Sequence, residues 1–338
     1  MALTQVARKS GERNFMFESV TAIAPARLHL GFLDLNGGLG RRFGSIGLAI
    51  DRPVTRLTIA PAATPFVQGA DALRAAAYLD LLTRRLDLVA AYGVTIHEAI
   101  PDHVGLGSGT QLALALSSAL RHLEGLAPDV PGDALALHRS QRSGIGVGLF
   151  ERGGVIVDGG RAEGTVTPPV IARLDFPAAW RVILVLDSRL KGLHGAQEAE
   201  SFAALGPFES GAAAEICRLV LIKALPALAE TDIEAFGGAI ERIQEIVGAY
   251  FAPAQGGAAH TSAAVAQTLA ALRRHGAKGA GQSSWGPTGF AFAESAVEAQ
   301  RLCEAAREDA AALGVDITIC KGLNHGALVK GHTSAAHK

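Results

Sequence analysis

The chain has 338 residues, 49% of them hydrophobic, and its 31 Lys and Arg nearly cancel its 32 Asp and Glu. That length exceeds a single hydrophobic core and points to two domains, while the apolar runs are too short to cross a bilayer. The balanced charge leaves no electrostatic footprint for nucleic acid or a membrane surface, so a small-molecule ligand is expected.

Residues 1–20 are charged and lack an apolar core segment, which predicts a loose arm, neither signal peptide nor anchor. Residues 20–32, "VTAIAPARLHLGF", alternate in part and predict a strand interrupted at Pro25. Arg27 and His29 sit two apart on it and so share a face, which either lines a site or is an ordinary exposed strand face. The glycine loop that follows carries Asp34, Asn36, Arg41 and Arg42, suited to a metal, a ribose hydroxyl or a phosphate, and equally to turn and surface roles. "SIGLAIDRPVTRLTIAP" predicts two strands joined near Arg52 and Pro53, and residues 71–92 have helical spacing.

A short strand at 93–100 leads into "PDHVGLGSGTQLALALSSAL", where Gly105, Gly107, Ser108, Gly109 and Thr110 precede a helix predicted over 110–123. A glycine-rich loop opening a helix can set several backbone N–H groups and the helix dipole against an anion, most often a phosphate. No Lys precedes the Ser, so this is no ordinary P-loop. The same residues also suit a tight turn with Ser108 or Thr110 as helix cap. Gln111 falls on the first helical turn, as a cap or a site contact, and His103 sits at the loop's edge. A helix is expected at 132–142. Arg142 and Ser143 then precede another glycine turn, and a guanidinium there suits phosphate or carboxylate.

Residues 153–160 predict a strand and 161–177 a loop. "WRVILVLD" at 180–187 is the clearest buried strand, so a domain boundary is placed just before it: an arm at 1–20, one domain at 21–176 and a second at 177–338. Arg189, Lys191 and His194 follow that strand as further cations or as a structural loop. Helices are predicted at 196–205, 212–229, 232–249 and 260–275, strands at 277–282 and 289–293, a helix at 295–313, and strands at 316–321 and 326–330. That order predicts an α+β, ferredoxin-like second domain. Cys217, Cys303 and Cys320 lie far apart without Cys-x-x-Cys spacing, which argues against a zinc site or a disulfide framework and for a cytoplasmic protein. Glycine is the compositional deviation, 40 of 338 residues against an average near ~7%. Its clusters at 31–47, 105–109, 144–160 and 276–289 suggest several loops converging on one ligand, and would equally suit Gly-rich turns between short strands.

Three segments in this order, "APARLHLGF" (24–32), "PDHVGLGSGTQLALA" (101–115) and "GAKGAGQSSWGPTGFAF" (276–292), resemble the GHMP superfamily of small-molecule kinases. The resemblance implies a two-domain GHMP-kinase-like α+β fold. Its N-terminal domain would be like the second domain of ribosomal protein S5, its C-terminal domain ferredoxin-like, and the site would lie between them. "RLHLGFLDLNG", "RSGIGVGLFERGGVIVDGG" and "GQSSWGPTGF" are similar to one branch, the β-ribofuranosylaminobenzene 5′-phosphate synthase family, and that likeness covers nearly the whole chain past residue 21. Enzymes of that family join 4-aminobenzoate to phosphoribosyl pyrophosphate with loss of CO2 and pyrophosphate, in tetrahydromethanopterin biosynthesis, and depend on Mg2+.

The resemblance implies catalytic roles for Arg27, His29, Arg142 and Ser143. It implies substrate binding by Gly105, Gly107, Ser108, Gly109, Thr110, Gln111, Asp34, Gln282, Ser283, Ser284 and Trp285, and it leaves the metal ligands unassigned. The loop would hold the pyrophosphate, Arg27 a phosphate, and His29 would lie near the aromatic acid. Trp285 would stack on the benzoate ring or pin the turn as a core residue. A homodimer is the family-based expectation. Residues 142–150 offer no carboxylate before Glu151, whereas kinases of the superfamily often use an acidic residue there as base. The synthase reaction deprotonates no hydroxyl. The competing readings are an ATP-dependent kinase of a small alcohol and a non-catalytic phosphoribosyl-ligand binding protein.

Overall fold

A computed structural model of the protein describes residues 15–193 and 195–333. Its first sheet is organised by a long antiparallel hairpin of β1 (Ser19–Asp34) and β2 (Phe43–Pro61). Val20, Ala22 and Ala24, and then Ala26, Leu28 and Leu30, at every second position of β1, are all buried, the first three in one apolar cluster and the last three in another beyond the register shift at Pro25 and Ala26. β2 is one strand where two were expected. Pro25 pairs with Val54 and Ala26 with Ile50, so residues 51–53 fall at a register shift, and Pro53 is asked for no ladder N–H there.

β3 (Phe66–Gly69) and β4 (Tyr92–Glu98) extend the sheet beyond the second half of β2. β5 (Val155–Asp158) pairs with its first half, and β6 (Val170–Leu174) lies outside β5, in a segment expected to be loop. The helices of this half are α1 (Ala72–Arg85), α2 (Ser108–Leu123), α3 (Val130–Ala136) and α4 (Ile145–Arg152). The helix expected at 132–142 stops at Ala136 because His138 and Ser140 adopt left-handed backbone, with φ of 56° and 57°. Residues 137–144 therefore form a loop. α4 was read as a glycine turn; its glycines serve close packing instead, since a Cβ on Gly148 would lie 2.5 Å from Ile156 Cδ1 and 2.6 Å from Val170 Cγ2.

The second sheet has the order β10-β7-β9-β8, formed by β7 (Arg181–Leu186), β8 (Lys278–Gln282), β9 (Thr288–Ala293) and β10 (Asp316–Cys320). Its helices are α5 (Gly195–Ala204), α6 (Ser210–Leu219), α7 (Leu225–Glu230), α8 (Ile233–Phe251), α9 (Ala263–Arg274), α10 (Ala296–Ala305) and α11 (Arg307–Leu313). A π-helical turn at Val220–Ala224 joins α6 to α7 just before Pro226, whose missing N–H cannot continue an ordinary ladder.

β11 (Leu328–His332) does not join this second sheet. It pairs antiparallel with residues 19–23 of β1 and closes the edge of the first one, so the strand expected to finish the 177–338 domain belongs to the other sheet. Without it the N–H and C=O groups along that edge of β1 would have no ladder partner. One apolar cluster runs through both halves, with Leu28, Leu30, Ile46 and Leu48 on one side and Val182, Leu184, Phe236, Ile240 and Phe292 on the other.

Candidate active site

The chain leaves β4 and enters α2 through a loop with two left-handed glycines, Gly105 (φ +86°) and Gly107 (φ +81°). A Cβ at Gly105 would lie 2.1 Å from the Ser283 carbonyl oxygen, and one at Gly107 would lie 3.0 Å from Arg27 Cγ. Gly107 is the N-cap of α2 and supplies no side-chain acceptor; neither Ser108 nor Thr110 caps the helix. The first amide N–H groups of α2, which no intrahelical carbonyl can satisfy, are left for a ligand or solvent.

Two other segments brace this loop. Arg27, on β1, donates from its backbone N–H to Leu106 O (3.1 Å) and from Nη1 to Gly105 O (2.7 Å). From the turn between β8 and β9, Ser283 Oγ accepts from His29 N–H (3.0 Å) and donates to Gly105 O (2.8 Å). Ser283 is fully buried, so its hydroxyl is a joint between strand, loop and turn. The contact is close throughout, since a Cβ on Gly286 would sit 2.0 Å from Val104 O.

Beside this joint lies a cleft of two adjoining lobes, of about 460 Å³ and 430 Å³, that share Arg27, Thr110, Arg139 and Ser284. The first lobe is walled by His29, Phe32 and residues 138–143, the second by Arg74, His103, the 105–109 loop and Trp285. Among the described residues its charged lining consists of arginines: Arg27, Arg139, Arg142 and Arg74, which pairs with Asp71. Arg74 and Arg139 flank Gly109, where a Cβ would lie 3.4 Å and 3.1 Å from their Nη1 atoms. The Nε atoms of both are buried without a partner. Arg139 lies over the Tyr78 ring, 5.3 Å from its centroid, and bonds its hydroxyl; Arg142 lies over Phe202 at 5.0 Å.

Ser143 is held from behind. Its Oγ donates to Asp158 Oδ2 (3.1 Å), which also accepts from Gly144 N–H (3.0 Å), while Asp158 Oδ1 accepts from Gly160 N–H (2.9 Å). Burial pushes the Asp158 carboxyl up to about 6 against the pull of these hydrogen bonds. His29 moves the other way: burial, and then the Arg27 charge, lower its imidazole to about 3, so the ring is neutral at any physiological pH.

Several residues singled out from the sequence lie elsewhere. Asp34 Oδ1 accepts from Asn36 N–H (2.7 Å) and Gly37 N–H (3.0 Å), an Asx turn. Arg41 donates to Gly159 and Gly160 carbonyls and Arg42 to Leu35 O. Gln111 is fully buried and donates to Gly146 O (3.0 Å). Gln282 accepts from Thr261 N–H and donates to Gln255 Oε1 and Ser284 O. Arg189 pairs with Asp187 and Lys191 with Asp102; His194 lies outside the described residues. The lobes instead gather Ser108, Thr110, Ser284, Arg142 and Ser143 with three residues that the sequence reading did not single out, Arg74, His138 and Arg139.

Mg2+ seeks hard oxygen donors, usually one or two carboxylates plus phosphate. Among the described residues no carboxylate lines either lobe, and no group of three or more His, Cys, Asp or Glu could hold a metal ion. The described lining does not fit a metal held by protein carboxylates. No helix among these residues is long and apolar enough to cross a membrane.

This α+β fold, with a glycine-rich loop opening a helix at the cleft, is that of the GHMP kinase class. Family models for the N-terminal and C-terminal domains of GHMP kinases match residues 71–147 and 224–312. Homoserine kinase from Cytophaga hutchinsonii superposes with a TM-score of 0.65 at 16% identity, over 95% of this chain and 100% of that one. Mevalonate diphosphate decarboxylase from Enterococcus faecalis gives 0.63 at 15% identity, over 93% and 99%. At such identities the likeness is one of fold. In sequence, the chain is 37% identical to β-ribofuranosylphenol 5′-phosphate synthase from Archaeoglobus fulgidus over 237 residues, 66% of this chain and 74% of that protein. It is 30% identical to the Methanothermobacter thermautotrophicus protein of the same name over 292 residues, 80% and 87%. The chain belongs to the β-ribofuranosylphenol 5′-phosphate synthase family of the GHMP kinase superfamily. These relatives carry the phenol name, and their likeness to this chain does not single out the aminobenzene branch.

Proposed function

We propose that the protein joins the carboxylate-bearing ring carbon of a 4-substituted benzoate, 4-aminobenzoate or its 4-hydroxy counterpart, to the anomeric carbon of phosphoribosyl pyrophosphate. The observation that carries this reading is the lining of the cleft: four arginines and the open N-terminus of α2, with no carboxylate among the described residues. Such a wall stabilises a departing diphosphate, and among the described residues it offers no carboxylate base to deprotonate an alcohol, the group that kinases of this superfamily often use. Asp158 does not fill that place, since it is fully buried and already accepts three hydrogen bonds.

As the C–O bond to pyrophosphate breaks, the amides at Gly107 to Gly109, the Ser108 and Thr110 hydroxyls and Arg74 and Arg139 take up the charge. The ring carbon attacks the anomeric carbon, and loss of CO2 returns the bonding pair to the ring and restores aromaticity. Arg27 and Arg142 suit the carboxylate or the 5′-phosphate. Where Mg2+ is required, it would enter with the sugar diphosphate, since among the described residues no carboxylate lines either lobe. The product would serve tetrahydromethanopterin biosynthesis.

The test is release of 14CO2 from carboxyl-labelled 4-aminobenzoate and 4-hydroxybenzoate, with phosphoribosyl pyrophosphate and Mg2+ and with each omitted in turn. Release that requires the benzoate, the sugar diphosphate and Mg2+ together is the expected result. No release from folded protein, with ATP consumed on an alcohol, would overturn the proposal.

A further inference from the structure

Among the described residues that line the first lobe, Ser143 carries the one hydroxyl whose proton the protein itself takes. Its Oγ donates to Asp158 Oδ2 (3.1 Å) and accepts from Ile145 N–H (3.3 Å). A hydroxyl has one proton and two lone pairs, so one lone pair is left. Asp158, as a carboxylate, can only accept; it is fully buried and takes the Gly144 and Gly160 N–H groups as well. The Ser143 proton is therefore held inward, and the oxygen meets the lobe as an acceptor.

The rest of the polar lining is differently placed. The hydroxyls of Thr110, Ser140 and Ser284 have no hydrogen bond among the described residues and can turn either way to suit a ligand. His29, His138 and Gln141 also carry atoms that can accept, but none of them bonds a carboxylate. Arg27, Arg139 and Arg142 can only donate. Ser143 is thus a fixed acceptor in a lobe whose charged groups are all donors.

That setting selects the ligand atom. A lone pair with a buried carboxylate behind it repels an anionic oxygen and strengthens as an acceptor when a donor approaches, because the two hydrogen bonds in line polarise each other. The ligand must therefore bring a hydroxyl to Ser143 while its anionic groups meet the guanidinium groups of the same lobe. Phosphoribosyl pyrophosphate has that pattern, with its ribose hydroxyls lying between a diphosphate and a 5′-phosphate. A para-substituted benzoate carries its donor at the end of the ring away from its only anionic group.

Resting on the function proposed above, we propose that Ser143 is a specificity-determining residue, accepting a hydrogen bond from a ribose hydroxyl of the sugar diphosphate while Asp158 keeps its proton turned away. A sugar without that hydroxyl leaves the Ser143 lone pair unpaired in the closed lobe and is rejected for that reason.

The test is binding of ribose 5-phosphate, its 2-deoxy and 3-deoxy analogues and inorganic pyrophosphate to the wild-type protein and to Ser143→Ala, by calorimetry at about pH 8, above the titration of Asp158 at about 6. Wild type should bind ribose 5-phosphate about 10- to 100-fold more tightly than one of the two deoxy analogues. Ser143→Ala should bring that ratio within about threefold by weakening ribose 5-phosphate, with pyrophosphate affinity unchanged. Equal binding of the three sugar phosphates to wild type, or no binding of ribose 5-phosphate, overturns the assignment even if the variant does not fold. A preference that survives in folded Ser143→Ala overturns it too, and so does an equal loss of pyrophosphate affinity, which would make Ser143 a phosphate contact. Release of 14CO2, measured in parallel on wild type, keeps the two readings apart: release without discrimination between the sugars removes this inference alone, and discrimination without release keeps the ribose contact and removes the reaction.

Discussion

The upper wall and the floor of the cleft are built on opposite principles. The wall holds guanidinium groups: Arg139 is propped on Tyr78, Arg142 on Phe202, and Arg27 is tied to the Gly105 carbonyl. The floor is aromatic and uncharged, with Phe32, Phe202, Phe251 and Trp285 in mutual edge and tilted contact, Trp285 and Phe251 having centroids 4.3 Å apart. Even its one titratable ring, His29, is kept neutral. Fixed charge is useful where a ligand's own charge varies during reaction. A dry neutral surface is useful where a single hydrogen bond must decide between similar molecules, since in low dielectric an unmade bond is felt in full.

The comparison can be broken most severely at the wall. Gly107→Val places a β-branched residue at φ +81° and a Cβ within 3.0 Å of Arg27 Cγ. Loss of more than ~1,000-fold in kcat/KM is expected because the amides can no longer approach the diphosphate; near-normal turnover in a variant of unchanged circular dichroism would take the loop out of the mechanism.

A second prediction concerns the support behind the wall. The folded Asp158 carboxyl titrates at about 6, above the usual value of 3.8, so the folded protein holds a proton that the unfolded chain releases earlier. This contribution to stability is fully present below about pH 4 and is lost as pH rises through 6, over a range of roughly 3 kcal/mol at most. Asp158→Asn should flatten that part of the stability profile in denaturant titrations between pH 4 and 7, and an unchanged slope would show that the carboxyl is not the group responsible.

Arg139→Ala should lower kcat/KM for phosphoribosyl pyrophosphate by ~100-fold, and Arg139→Lys by ~10-fold, since lysine keeps the charge and loses the planar fork. A loss confined to the benzoate KM would move Arg139 from the diphosphate to the aromatic acid. The smallest effect is expected at the joint between wall and floor. Ser283→Ala removes two buried hydrogen bonds and should cost about 1–3 kcal/mol in chemical denaturation, with the substrate preference unchanged if Ser283 only positions its neighbours.

What the sequence revealed about this site follows from distance along the chain. The glycine loop and the Arg27 and His29 pair are local patterns, and their place at the cleft follows from loop chemistry and from the period of a strand. Arg74 and Arg139 come from a helix and a loop whose own sequences look like solvated surface, and they meet only because α1 and the 137–144 loop both pack against α2. α4 was hidden because Gly146 and Gly148, poor helix formers, are there for close packing against Thr110, Ile156 and Val170. Asp158 reads as the end of a strand, and only the fold brings Ser143 and Gly144 to it. Of the two descriptions expected of Trp285, the structure gives the core one: its ring is buried among Phe202 and Phe251.

The pairing of β11 with β1 sets the order in which this protein can be completed during synthesis. The strand that begins at Ser19 leaves the ribosome more than three hundred residues before the partner that covers its outer edge at Leu328 to His332. Until then residues 19–23 present open backbone groups to other nascent chains. The first sheet is thus the earlier half to be made and the later half to be sealed, and the glycine-rich loop it carries gains its brace only once Ser283 has followed it.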